Sequence, residues 1–334
     1  MIKEPPDSSD WSAVLHRRPS RSPGTPRTLT PLRTGLASWR RRVVALALVA
    51  LTASLLQTNM SSASTGSVAA EKAASDTKGA AVVRVSEFLA ECPYSHRLPD
   101  DPIVFPGLPG ASHMHSFFGN DTTNGRSDVN SLAQGRTTCA PKEDLSSYWV
   151  PTLYDGTREV EPTGTTFYYL GEGVRDDIIA QTQPLPYGLR IVAGNAKATG
   201  PNDNTRARWS CLHHGEVNPS TDFVNCPAGA MLESYLDFPQ CWNGRDLDSA
   251  DHKSHMSYPV AGACPSTHPV PVPKLRQVLR YPVNGDPARF KLASGRGYTM
   301  HGDFFNVWPA AEMERRVRDC IRPIIKCGAD GRPS

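Results

Sequence analysis

The hydrophobic pattern of the chain is short-ranged. Runs rich in aromatic and β-branched residues recur between turn formers: Tyr148 to Tyr154, Thr166 to Leu170, Leu189 to Ala193, Met231 to Phe238, Leu275 to Tyr281 and Arg289 to Leu292. Each has the length and composition of a strand. Pro and Gly interrupt the chain every few residues, which argues against long helices. One segment reads as a helix, Ala310 to Ile321. Pro309 suits its first turn, and Met313, Val317, Cys320 and Ile321 fall on one apolar stripe. The pattern predicts a mainly β domain: a disulfide-braced, loop-rich sandwich or jelly-roll-like fold with a short C-terminal helix.

The ends behave differently. Residues 1–42 are basic and rich in Pro, Ser and Arg, and they end in Trp39-Arg40-Arg41-Arg42. Residues 43–60 open with a fourteen-residue, mostly apolar run, Val43 to Leu56. A bilayer span needs about 20 residues, so this run suits a signal-peptide core, with an uncleaved N-terminal anchor as the alternative. The arginines before it are compatible with a twin-arginine signal. Residues 61–82 read as a flexible linker. No internal repeat or second composition break follows, so residues 83–328 read as one domain and 329–334 as a tail.

Charge supports this division. The net charge is +3. Residues 1–60 hold nine Lys/Arg and three Asp/Glu, so the remainder is slightly acidic. That balance gives no reason to expect nucleic-acid binding. All eight cysteines (Cys92, Cys139, Cys211, Cys226, Cys241, Cys264, Cys320 and Cys327) lie beyond the apolar run. An even count after an export signal implies disulfides. Spacing does not fix their connectivity among 105 pairings, of which pairing of sequence neighbours is one. No CxxC pair is present, which disfavours a thiolate zinc site.

Candidate chemistry lies in the histidines. The chain has ten, and five fall in three short clusters: His113 and His115, His252 and His255, and His301. On an extended segment residues i and i+2 share a face, so His113 can join His115, and His301 can join Asp303. His252 and His255 share a face only on a helical turn. Imidazole and carboxylate donors suit a divalent transition metal, with His113, His115, His252 and His301 as its ligands. Metal-free acid–base chemistry is the other use of such a set, with Asp251 and Asp303 as carboxylates and His255 as proton carrier. The candidate catalytic residues are therefore His113, His115, Asp251, His255, His301 and Asp303. Phe117-Phe118 and Phe304-Phe305 would wedge the loops carrying the histidines onto the core. The abundant aromatics are expected to be core rather than sugar-stacking surface.

From Cys92 onward the chain resembles a family of secreted proteins defined by the domain of unknown function numbered nineteen ninety-six. The matching blocks include Asp101 to Gly107, Ser112 to Asn120, Tyr148 to Pro151, Phe238 to Gly244, Asp248 to Tyr258, and His301 to Asn306. The resemblance implies a secreted protein associated with polysaccharide or cell wall, and carries no catalytic residue with it. Together these readings give an exported monomer. Its expected partner is an extracellular polysaccharide or cell-wall glycan, which a His/Asp cleft would cleave as a hydrolase or lyase. A non-catalytic glycan- or metal-binding module is the alternative. Any membrane contact is through the N-terminal segment alone.

Overall fold

A computed structural model describes residues 85–212 and 219–334. The N-terminal basic stretch, signal or anchor, and linker lie outside the described residues, as do His213 and His214. Among the described residues, no helix is long and apolar enough to cross a membrane.

The fold is mainly β and is built on two five-stranded antiparallel sheets. The first runs Glu87–Ala90, Gly164–Leu170, Lys274–Tyr281, Leu232–Asp237 and Ala207–Cys211, in that spatial order. The second runs Tyr94–Leu98, His115–Gly119, Ser147–Pro151, His301–Phe305 and Arg190–Gly194. Their inner faces share one core. Phe88, Phe167, Tyr169, Trp209 and Leu236 come from the first sheet, and Phe118, Tyr148, Val150, Ile191 and Phe304 from the second. The Tyr148 and Phe167 rings stack at 4.0 Å between centroids across this interface. Such a pair is worth about 0.5–1.5 kcal/mol beyond its buried area. Gly302 allows the close approach, because a Cβ there would come within 2.6 Å of Leu236.

All six predicted strand runs contain strands, and the C-terminal segment is helical over Ala310–Arg316, continuing as a π-helical turn over Val317–Ile321. The disulfides join sequence neighbours: Cys92–Cys139, Cys211–Cys226, Cys241–Cys264 and Cys320–Cys327. Each is typically worth about 2–4 kcal/mol in restricting the unfolded chain. Tyr148, Trp149, Tyr169, Trp209 and Trp308 are wholly buried, as core aromatics should be.

One expectation is corrected. The segments carrying His115 and His301 are not loops wedged down by phenylalanines. They are central strands of the second sheet, buried along their whole lengths. An antiparallel sheet often leaves one face to water. Here a second cluster covers the outer face: Phe117, Trp149 and Phe305 pack with Ile103, Leu132 and Val307. Residues that alternate between two buried faces show no polar period, so these strands do not read as strands. Asn120, which fits a glycosylation pattern, is also buried. Its amide nitrogen donates to the Leu132 and Leu145 carbonyls at 2.8 and 2.9 Å.

Candidate metal centre

Strand register places the histidines. His115 and Phe117 point to the outer face of one strand, and His301, Asp303 and Phe305 to the same face of another. The Ser147–Pro151 strand lies between them. Trp149 pairs with both Phe117 and Asp303, which sets the apolar end of this face. His115 pairs with Pro151 and His301 with Gly194, so the two imidazoles flank the end of the central strand. Gly194 has φ +77°, and a Cβ there would lie 2.4 Å from the Met300 carbonyl oxygen and 2.8 Å from the His301 Cα. Glycine is what lets the backbone close against His301.

The imidazoles meet edge to edge. Nε2 of His301 lies 3.2 Å from Nε2 of His113 and 3.3 Å from Nε2 of His115. The opposite nitrogens fix the tautomers. Nδ1 of His115 donates to the Asp100 carbonyl at 2.9 Å, and Nδ1 of His301 donates to the Thr299 carbonyl at 3.0 Å. A neutral imidazole has one N–H. Both Nε2 atoms are therefore bare lone pairs, and the 3.3 Å contact between them is not a hydrogen bond. Burial keeps the rings neutral. It pushes His301 down to about 3 and holds His115 well below its ordinary range, with the neighbouring imidazoles adding to the effect. His113 is lowered by burial as well. In a tetrahedron with metal–nitrogen bonds of about 2.0–2.1 Å, ligand nitrogens stand about 3.3 Å apart. The 3.2 and 3.3 Å separations match that edge, and both tautomers are those of metal-ligating histidines oriented by carbonyls.

Two carboxylates adjoin the trio. Asp101, His115 and Asp303 bring ligand atoms within 4.8 Å of one another. Asp303 is fully buried, and neither of its oxygens has a hydrogen-bond partner among the described residues. Burial raises its carboxyl well above the usual range, and the Asp101 charge raises it further. Burial also raises Asp101, although its Oδ1 accepts from the Ile103 and Val104 amides at 3.0 and 2.9 Å. An unpaired buried carboxylate costs several kcal/mol, and a cation beside it removes that cost. The Lys253 ammonium favours the ionised form of Asp303 but donates its own hydrogen bond to the Gly194 carbonyl at 2.7 Å.

The middle cluster borders this corner, where the His252 charge acts on Asp101, and its ring nitrogens are spent differently. His255 is buried with both nitrogens engaged, Nδ1 by Ser249 Oγ at 2.9 Å and Nε2 by the Arg190 carbonyl at 2.6 Å. His252 Nδ1 contacts the Asp248 oxygens at 3.1 and 3.2 Å. Asp251 is exposed and caps its own turn. It accepts from Ser249 Oγ, the Lys253 amide and the Ser254 amide at 2.8, 3.1 and 2.8 Å. The structure therefore joins His113, His115, His301 and Asp303 at one corner. It leaves His252 Nδ1 and the Asp251 carboxylate engaged within this loop, and both His255 ring nitrogens engaged by Ser249 and the Arg190 carbonyl. Three contributors were missed by sequence reasoning. Asp101 stands beside the trio, Asp100 orients His115 through its carbonyl, and Lys253 reaches the corner from the middle loop. The Asp100-Asp101 pair before Pro102 was the available signal for the first two.

Solvent reaches the trio on the His113 side. A cavity of about 440 Å³ is lined by His113, Met114, Tyr154, Thr157 and Lys291 among others. The model of one family, domain of unknown function DUF1996, matches residues 101–308, more than half of the chain. The chain belongs to the DUF1996 family. The DUF1996 region spans the three histidines and both carboxylates of this corner, from Asp101 to Asp303. No curated protein and no solved structure matches the chain.

Proposed function

We propose that this DUF1996 protein is an exported metalloprotein acting on polysaccharide or cell-wall glycan. His113, His115 and His301 hold one divalent transition metal through their Nε2 atoms. The observation that carries this reading is the pair of Nε2 separations of 3.2 and 3.3 Å, with Nδ1 of His115 and His301 committed to carbonyls. Three imidazoles favour zinc-type or copper-type ions over hard ions such as magnesium. A bound ion supplies Lewis acidity and activates water for hydrolysis. The chain's own residues do the rest. Asp100 and Thr299 hold the rings, Asp303 and Asp101 offset the ion's charge, and Phe117, Trp149 and Phe305 wall one side against water.

Export is supported by the full set of four disulfides, which persist in an oxidising compartment. The glycan part is supported by the cavity beside His113, large enough for a sugar ring and lined by hydroxyl and amino groups as well as Met114. One observation favours a second reading, a metal-holding module without turnover: His115 is wholly buried and His301 is 5% exposed, which leaves little of either ring to meet a substrate.

The test has two stages. Elemental analysis of chain purified without chelator should find about one transition-metal equivalent, and none in His301→Ala. The metal-loaded chain is then incubated with a panel of plant, fungal and bacterial glycans. New reducing ends or unsaturated products, absent from His301→Ala, support the enzyme. Metal without any product leaves the binding module, and no metal in either protein overturns the centre.

A further inference from the structure

On the other flank of the same corner, a groove of about 180 Å³ is lined by Val192, Gly194, Asn195, Arg206, Lys253 and Tyr258 among others. Val192 pairs with Asp303 and Gly194 with His301, so this groove opens on the same sheet face as the trihistidine corner. We propose that the groove binds an oxyanion carried by the substrate, with Arg206 and Lys253 as its cationic walls and Tyr258 as its floor. This rests on the proposed glycan-directed metal site and names the substrate class as an acidic saccharide.

Arg206 is exposed, and its guanidinium carbon lies 3.7 Å from the Tyr258 ring centroid. Among the described residues it forms no ion pair. A guanidinium stacked on an aromatic face keeps its edge N–H groups free in a planar fork that matches an oxyanion. The ring is held in place, because the Tyr258 hydroxyl donates to the Asp237 carbonyl at 2.8 Å. Lys253 is set by the Asp251 cap and anchored on the Gly194 carbonyl. It also forms no ion pair among the described residues, and its charge is felt by both Asp303 and His301. The one carboxylate lining the groove, Asp203, is committed to its own loop. Its Oδ2 accepts from the Thr199 amide and hydroxyl and the Gly200 amide at 2.8, 2.7 and 3.1 Å. Two cations that form no direct ion pair thus share a small cleft with an aromatic floor, beside the strand position that faces His301, with Asp303 and Asp251 acting on Lys253 only at longer range.

Calorimetry on the full-length chain, with metal and after chelation, tests this with three probes: trigalacturonate, its neutral counterpart galactotriose, and inorganic phosphate. Trigalacturonate should bind, and Arg206→Ala should weaken it about tenfold or more, as expected for loss of a charge-assisted bidentate contact. Arg206→Lys should not restore it, and Lys142→Ala, an exposed lysine that lines neither cavity, should not reproduce the loss. Competition by phosphate assigns the groove to oxyanions in general, and its absence narrows the ligand to carboxylates. Galactotriose binding as tightly as the charged trimer overturns the proposal. So does an affinity unchanged in Arg206→Ala, or no binding of either anion. Failure of the metal site reads differently: no metal is found, yet the Arg206-dependent binding persists after chelation.

Discussion

Two histidine clusters of this chain look alike in sequence and differ in structure. In the Asp248–His255 loop, His255 spends both ring nitrogens on Ser249 and the Arg190 carbonyl, and His252 turns to Asp248. At the His113, His115 and His301 corner, two rings spend only Nδ1 on a carbonyl and aim Nε2 at a shared point. A satisfied histidine pins a loop, whereas the buried His115 Nε2 faces another lone pair and needs a further partner, since His113 Nε2 can donate to His301. The difference lies in the bonding of each second nitrogen, which residue spacing does not reveal.

The comparison can be broken by exchanging the two outcomes. The largest effect is expected from His301→Ala, which should take metal content from about one equivalent to near zero while leaving the metal-free fold intact. His255→Ala should do the reverse. It leaves the Arg190 carbonyl without its partner, costs about 1–3 kcal/mol by chemical denaturation, and keeps the metal. Metal loss in His255→Ala with retention in His301→Ala would invert the assignment.

Asp303→Asn comes next. It removes a buried carboxyl whose ionisation is opposed by burial and by Asp101, so the metal-free protein should melt at a higher temperature than wild type. Metal affinity should fall about 10–100-fold, as when other groups supporting a metal site are lost. A lower melting temperature for the metal-free variant would show that Asp303 has a stabilising partner.

Acid should also separate the two regions. The unfolded His301 ring titrates near 6.5, whereas burial holds the folded ring at about 3. The unfolded chain therefore takes up the proton first. This contribution to stability is full above pH 6.5 and is lost as pH falls towards 3. Asp303 acts with the opposite sign. Its raised folded value means that its contribution is lost as pH rises from the ordinary carboxylate range to that value. Melting temperature against pH in chelator should slope less steeply below pH 6.5 in His301→Gln than in wild type. Equal slopes would contradict the buried neutral ring.

Much of the fold was legible because strands buried on one face, such as Leu232–Asp237 and Lys274–Tyr281, carry aromatic or branched apolar residues between turn formers. The strands at the corner were not legible as strands. His115–Gly119 and His301–Phe305 are covered on both faces, so Phe follows Phe and the polar residues sit among them without a period. Of the corner itself, the i, i+2 spacing of His113 and His115 made their shared face readable. The approach of His301 was not readable, because it depends on the Ser147–Pro151 strand lying between two segments far apart in sequence. Lys253 was hidden for a similar reason: its place is set by the turn that Asp251 caps.

The smallest expected effect is at that turn. Asp251→Ala removes acceptors for two amides and a hydroxyl on an exposed loop, and should cost about 1 kcal/mol with metal content unchanged. A large loss of metal in Asp251→Ala would show that this turn, through Lys253, holds the metal centre together.

The most direct measurement is X-ray absorption at the zinc edge of the zinc-loaded full-length chain, alongside His115→Ala and His301→Ala. The account predicts a shell containing three imidazole nitrogens at about 2.0–2.1 Å, reduced in both variants. An oxygen-only shell, or a spectrum unchanged by either substitution, would contradict it.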